Sequence, residues 1–133
     1  MADQYEVTAR QTGPLTFATD NGSVIVTVGE GSFQPTELFL ASLGACMLST
    51  MLEYAERNRI HLADVSVDLS GQMANRPRRI SQVNVVYHLP VELGQAHVDA
   101  LVRAGNHCTI HQTLENPPEL VVSIDRTDSP ART

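Results

Sequence analysis

The chain reads as an α+β domain. A turn-punctuated, β-branched first third, one long apolar helix in the middle, and an alternating strand pair followed by helical spacing carry that assignment. Tyr5–Arg10 alternates weakly, and Gln11-Thr12-Gly13-Pro14 is a turn by composition. Leu15–Thr19 follows as a second strand. Asn21-Gly22 is a strong short-range hairpin signal, and Ser23–Val28 beyond it is β-branched. Gly29–Ser32 is a loop.

Pro35 suits the first turn of a helix, and Glu37 complements its positive end. Leu38–Ala55 is apolar on nearly all sides, with Ala41, Ser42, Gly44, Ala45 and Ser49 interspersed. A helix without a polar face is surrounded by protein, and the small residues admit a second backbone. Covering such a helix is hard in 133 residues, which favours a dimer. Asp64–Gln72 and Ile80–Leu89 alternate with period two and pair across a turn holding Arg76, Pro77, Arg78 and Arg79. Glu92–Ala104 has helical spacing, with Gly105 as its stop. A short helix starts near Asn106 or His107, and Asn116-Pro117-Pro118 ends it. Glu119–Asp125 is the last expected strand, and the tail after Arg126 is expected to be loose.

Hydrophobic content of 42% and charged content of 18% are those of one globular domain. A net charge of −6 and three clustered arginines argue against nucleic acid as a partner. No apolar stretch of spanning length and no leader pattern were found, so a cytoplasmic protein without membrane contact is expected. In a reducing compartment two cysteines are buried thiols, ligands or redox groups rather than a structural disulfide.

Cys46 lies on the apolar helix, with Ser42, Ser49 and Thr50 one turn away, a small polar stripe that can line a pocket. It is either a small buried hydrophobe or a nucleophile, and the second role requires a nearby cation. The chain has no lysine, which leaves Arg10, Arg57 and Arg59 or a histidine. Glu37 falls on the opposite side of the helix from Cys46, and Glu53 returns to its face about 10 Å along the axis. If Asn106 caps the short helix, Cys108 sits in its first turn, where free N–H groups lower a thiol pKa. His107 and His111 flank it. These three with Cys46 are a conceivable metal set, but paired zinc spacing is missing.

Two segments resemble the OsmC/Ohr family of osmotically inducible and organic hydroperoxide resistance proteins. One is Pro35-Thr36-Glu37-Leu38-Phe39-Leu40-Ala41-Ser42-Leu43-Gly44-Ala45-Cys46. The other is His107-Cys108-Thr109-Ile110-His111-Gln112-Thr113-Leu114. The element order also fits, so the resemblance spans the chain. It implies an intertwined homodimer with two central helices at the interface. It implies a thiol peroxidase acting on organic hydroperoxides in oxidative-stress defence, with no bound cofactor or metal and with an external dithiol or lipoyl-type reductant. By matching position Cys46 is the peroxidatic thiol and Cys108 the resolving one, while Arg10 and Glu37 stand for the family's arginine–glutamate clamp. The family's glutamate directly follows the proline, where this chain has Thr36, and Thr109 replaces the proline after the second cysteine. A divergent branch is the result. The alternative is a module of the same fold that binds an apolar small molecule.

Overall fold

The structure is a computed structural model that describes residues 3–126. The first third is an antiparallel meander of β1 (Thr8–Gly13), β2 (Thr16–Asp20) and β3 (Ile25–Gly29) in the order β1-β2-β3. The turn between β2 and β3 forms where Asn-Gly foretold it. Gly22 adopts φ +95°, and Asn21 Oδ1 accepts the N–H groups of Ser23 and Val24 at 3.0 and 2.9 Å. β1 starts later than its alternation suggested and runs through Gly13, with a bulge between Gln11 and Gly13.

Helix α1 (Pro35–Arg57) begins at the predicted proline. Gln34 is its N-cap, and its backbone N–H donates to the Glu37 carboxylate at 2.9 Å. Strands β4 (Ser66–Ala74) and β5 (Arg79–His88) form a second antiparallel sheet, with Val67 opposite Tyr87 and Leu69 opposite Val85. Helices α2 (Gln95–Gly105) and α3 (Thr109–Glu115) follow.

The core is the seam between α1 and what comes after it. Leu43, Gly44, Met47, Met51 and Ala55 make one buried stripe at helical spacing. Gly44 meets the β4–β5 sheet so closely that a Cβ there would lie 2.5 Å from Leu69 Cδ1. One end of the seam joins Leu43, Met47 and Cys108 to Val83, Val85 and Tyr87. The other joins Met51, Ala55 and Leu101 to Ile60, Leu62 and Leu89.

The described residues leave Phe39, Ala41, Ala45 and Leu52 on the other side of α1 exposed. Two expectations are corrected. First, residues 119–125 form no strand. Among the described residues nothing pairs with them, and Leu120, Val121, Val122 and Ile124 are between 82% and 87% exposed. β-branched residues favour extended backbone, but a strand also needs a neighbouring edge to bond. Second, α1 is long and apolar enough, by length and composition alone, to cross a membrane. Glu37, Glu53 and the small residues interrupt its apolar run, so the sequence shows no continuous stretch of that length. Its stripe is packed against β4, α2 and α3, as in the core helix of a folded domain. The tail beyond Arg126 lies outside the described residues.

Candidate functional site

The fold brings the two sulfurs from different halves of the chain to one place. Cys46 is half-buried at mid-helix, and Cys108 is buried at the turn between α2 and α3. The backbone of α3 addresses both: Ile110 N–H donates to Cys46 Sγ at 3.5 Å, and His111 N–H donates to Cys108 Sγ at 3.3 Å. The Cys46 side chain packs against the cluster that holds Cys108. Leu43, Met47, Val83, Val85, Tyr87 and Ile110 pack around them.

The setting of Cys108 differs from the expected one. Asn106 does not cap α3; it ends α2. Cys108 is itself the N-cap of α3, and its sulfur takes the role a serine oxygen usually has. Burial pushes its thiol pKa up rather than down. The His111 N–H bond opposes that shift, and the adjoining Cys46 adds to it. Desolvation of a buried sulfur thus outweighs the short helix's backbone donors.

The polar stripe along α1 does not serve the thiol. Ser49 and Thr50 donate their hydroxyls to the Cys46 carbonyl oxygen at 3.2 and 2.9 Å, and Ser42 donates to the Phe39 carbonyl at 2.7 Å. Ser42 lines a cavity of about 410 Å³ with Ala9, Phe17, Val28, Leu38 and Phe39, between the first sheet and the start of α1. Within one chain Arg10 and Glu37 are engaged elsewhere. The Arg10 guanidinium binds the Asp20 carboxylate across the β1–β2 pair, and Glu37 closes the N-terminus of α1. Arg10, with a Gly22 N–H bond, holds the Asp20 carboxyl below its ordinary value. The conceivable metal set is not assembled. His107 Nδ1 lies against the Arg103 carbonyl at 2.7 Å, and no cluster of three His, Cys, Asp or Glu side chains is placed for a metal among the described residues.

A second cavity, about 480 Å³, is lined by Leu43, Met47, Val83, Val85, Tyr87 and His111 among others. Among its polar residues, Asn106 and His111 were singled out from the sequence, and Tyr87 was not. Tyr87 donates to Asn106 Oδ1 at 3.2 Å, and Gly105 permits that approach because a Cβ there would lie 2.5 Å from the Tyr87 hydroxyl oxygen. The signal was present: Tyr87 continues the inward face that Val83 and Val85 define. Burial, with Cys108 beside it, pushes the Tyr87 phenol up from 10.0 to about 12. A raised pKa stabilises the fold below the unfolded value and is lost above it. Stability should therefore fall between pH 10 and about 12 as the unfolded phenol ionises first. Urea unfolding at pH 9 and pH 11 should show a smaller loss for Tyr87→Phe than for the parent. An equal loss in both would refute this assignment.

Residues 28–123 match the OsmC-like protein family. Among curated proteins none matches the sequence. Among solved structures, the OsmC-like protein of Mycoplasma pneumoniae superposes with a TM-score of 0.79 at 17% identity, over 88% of this chain and 91% of that one. The organic hydroperoxide resistance protein OsmC of Legionella pneumophila gives 0.63 at 23% identity, over 84% and 88%. The organic hydroperoxide resistance protein OhrB of Bacillus subtilis gives 0.63 at 18% identity, over 86% and 92%. These likenesses are of fold. The family match spans the central helix, both cysteines and both pairs of elements around them, and on that match the chain belongs to the OsmC-like protein family.

Proposed function

We propose that this protein is a thiol-dependent peroxidase that reduces organic hydroperoxides, with Cys46 and Cys108 as its redox pair. The observation that carries the proposal is the meeting of the two thiols in an apolar setting under the α3 backbone. The Cys46 thiolate attacks the distal peroxide oxygen, the O–O bond breaks, and the alkoxide leaves as the alcohol after taking a proton. Cys46 becomes a sulfenic acid. Cys108 attacks that sulfur, water leaves, and a disulfide forms. An external dithiol, small or lipoyl-type, reduces it by thiol–disulfide exchange. Half-exposed Cys46 suits the attacking role and buried Cys108 the resolving one. The apolar surroundings favour an alkyl hydroperoxide over hydrogen peroxide. Stress defence in the cytoplasm is the biological setting this chemistry fits.

A second copy of the chain belongs to the same reading. The exposed apolar side of α1 and the exposed run 120–124 call for cover. A homodimer supplies it and offers Cys46 an Arg10 and a Glu37 from the partner. One observation favours the competing reading, a binding module with idle thiols: within a single chain Arg10 is occupied by Asp20.

Peroxide consumption separates the two. With cumene hydroperoxide and dithiothreitol the parent protein should turn over, and Cys46→Ser should lose at least about a hundredfold, since the nucleophile itself is removed. Equal rates in the two proteins would leave only the binding module.

A further inference from the structure

Helices α1 and α2 leave between them a cleft of about 270 Å³ that the two-thiol scheme does not use. Thr50, Tyr54 and Arg57 line it from α1. Ala100, Arg103 and Ala104 line it from α2, with His107 just beyond the end of that helix. Spacings of three and four place each set on one helix face. The two alanines leave room that longer side chains would fill.

The charge of this cleft is unlike that of the chain. Nine arginines stand against 15 acidic residues overall, yet two of the nine line this one cleft and no carboxylate among the described residues does. Each of the two has an acid four residues earlier on its own helix, Glu53 before Arg57 and Asp99 before Arg103. That arrangement ordinarily closes into an ion pair. Neither pair closes. Among the described residues the ion pairs are Arg10–Asp20, His88–Asp68 and His111–Glu115, and the Asp99 carboxylate accepts from Gln95 at 2.8 Å instead. A basic residue in a last turn complements the helix dipole, and Arg57 and Arg103 each hold such a place. The dipoles account for one charge on each helix, but not for both charges lining one cleft while the neighbouring acids go unpaired. A positive cleft in an acidic protein is complementary to an anion. Tyr54 adds a hydroxyl donor. His107 is tied to the helix that carries Arg103, with Nδ1 at 2.7 Å from the Arg103 carbonyl oxygen.

We infer that this cleft binds a small phosphate-bearing molecule, with the dianionic head between Arg57 and Arg103. Two guanidinium charges balance a phosphate dianion. Guanidinium forks grip phosphate oxygens with paired N–H bonds, and a tetrahedral head offers oxygens to donors on separate helices. The volume holds a phosphate and a few carbon atoms rather than a long acyl chain. No step of the peroxide chemistry passes through the cleft, so the two readings stand or fall separately.

Isothermal titration calorimetry at about pH 8, in Tris chloride of fixed ionic strength, tests the site with inorganic phosphate and with glycerol phosphate. Both are dianionic there, since the second ionisation of a phosphomonoester lies near about pH 6. The parent should bind both saturably. Arg57→Gln and Arg103→Gln change exposed side chains, and each should weaken binding at least about tenfold, the loss expected for a charge-assisted hydrogen bond. Arg78→Gln removes the same charge from the β4–β5 turn and should stay within about twofold, because screening confines charge effects to short range. Acetate should bind at least about tenfold more weakly than phosphate. In the nitrogen-15-labelled parent, phosphate should shift the amide signals of Ala100, Arg103 and Ala104 more than those of Arg78 and Arg79, a readout that needs no variant. A parent that shows neither saturable binding nor shifts confined to the cleft overturns the inference. Arg78→Gln weakening binding as much as Arg103→Gln would reveal a response to overall charge and overturn it as well. Equal affinity for acetate would overturn the choice of phosphate.

Discussion

Leu101→Ala is expected to remove about 2–5 kcal/mol from the free energy of unfolding, the range for emptying a fully buried leucine site. Leu101 and Met51 are 0% exposed, and they close the half of the α1–α2 seam away from the thiols. The surrounding side chains come from α1, from the loops around Ile60 and Leu93, and from β5. A gap opened there cannot be filled by one side chain swinging in, because each wall belongs to a different element. Small domains hold about 5–15 kcal/mol in total, so the loss would leave much of the population close to unfolding. Val91→Ala is the control: Val91 is 99% exposed and should change stability by less than about 0.5 kcal/mol. Urea titration of both variants measures the difference. Equal midpoints would mean that the seam is not the core.

What could be read from the sequence was local. Pro35 and Glu37 fixed the start of α1 because a proline at the first turn and an acid at the third position solve the problem of unpaired N–H groups within four residues. Asn21-Gly22 fixed a turn because φ at Gly22 is +95°. The period-two runs fixed β4 and β5, with Tyr87 and Val85 on the face that reaches the core. The two cysteines stood out as candidates, and their meeting came from the family resemblance rather than from either segment alone. What could not be read was long-range. The raised pKa of Cys108 depends on desolvation by residues of α1 and β5. The same holds for Arg10: its arginine chemistry was visible, but its choice of Asp20 follows from the β1–β2 register. His111 and Glu115 stand four apart, a spacing the sequence displayed. Only the burial of Nδ1 distinguishes them from an ordinary surface pair.

Leu120→Asp combined with Val122→Asp is expected to convert the proposed homodimer into a monomer and to abolish the proposed peroxide turnover. The two residues share one face of an extended segment with Ile124, and all three are at least 86% exposed. That run has strand composition but pairs with no strand among the described residues. The outer edge of β3 offers one in a second copy, where Ile25 and Phe33 are also exposed. Docking there would satisfy backbone groups and bury apolar side chains together, the two requirements a lone segment cannot meet. The same union would cover the open side of α1 and bring the partner's Arg10 and Glu37 toward Cys46, so assembly and catalysis should fail together. Two carboxylates buried without partners should raise the dimer dissociation constant at least about a hundredfold. Sedimentation velocity across a concentration series reads the association directly, and peroxide consumption on the same samples reads its consequence. A variant that stays dimeric would exclude this segment from the interface. A monomer with full turnover would show that each chain carries a complete site.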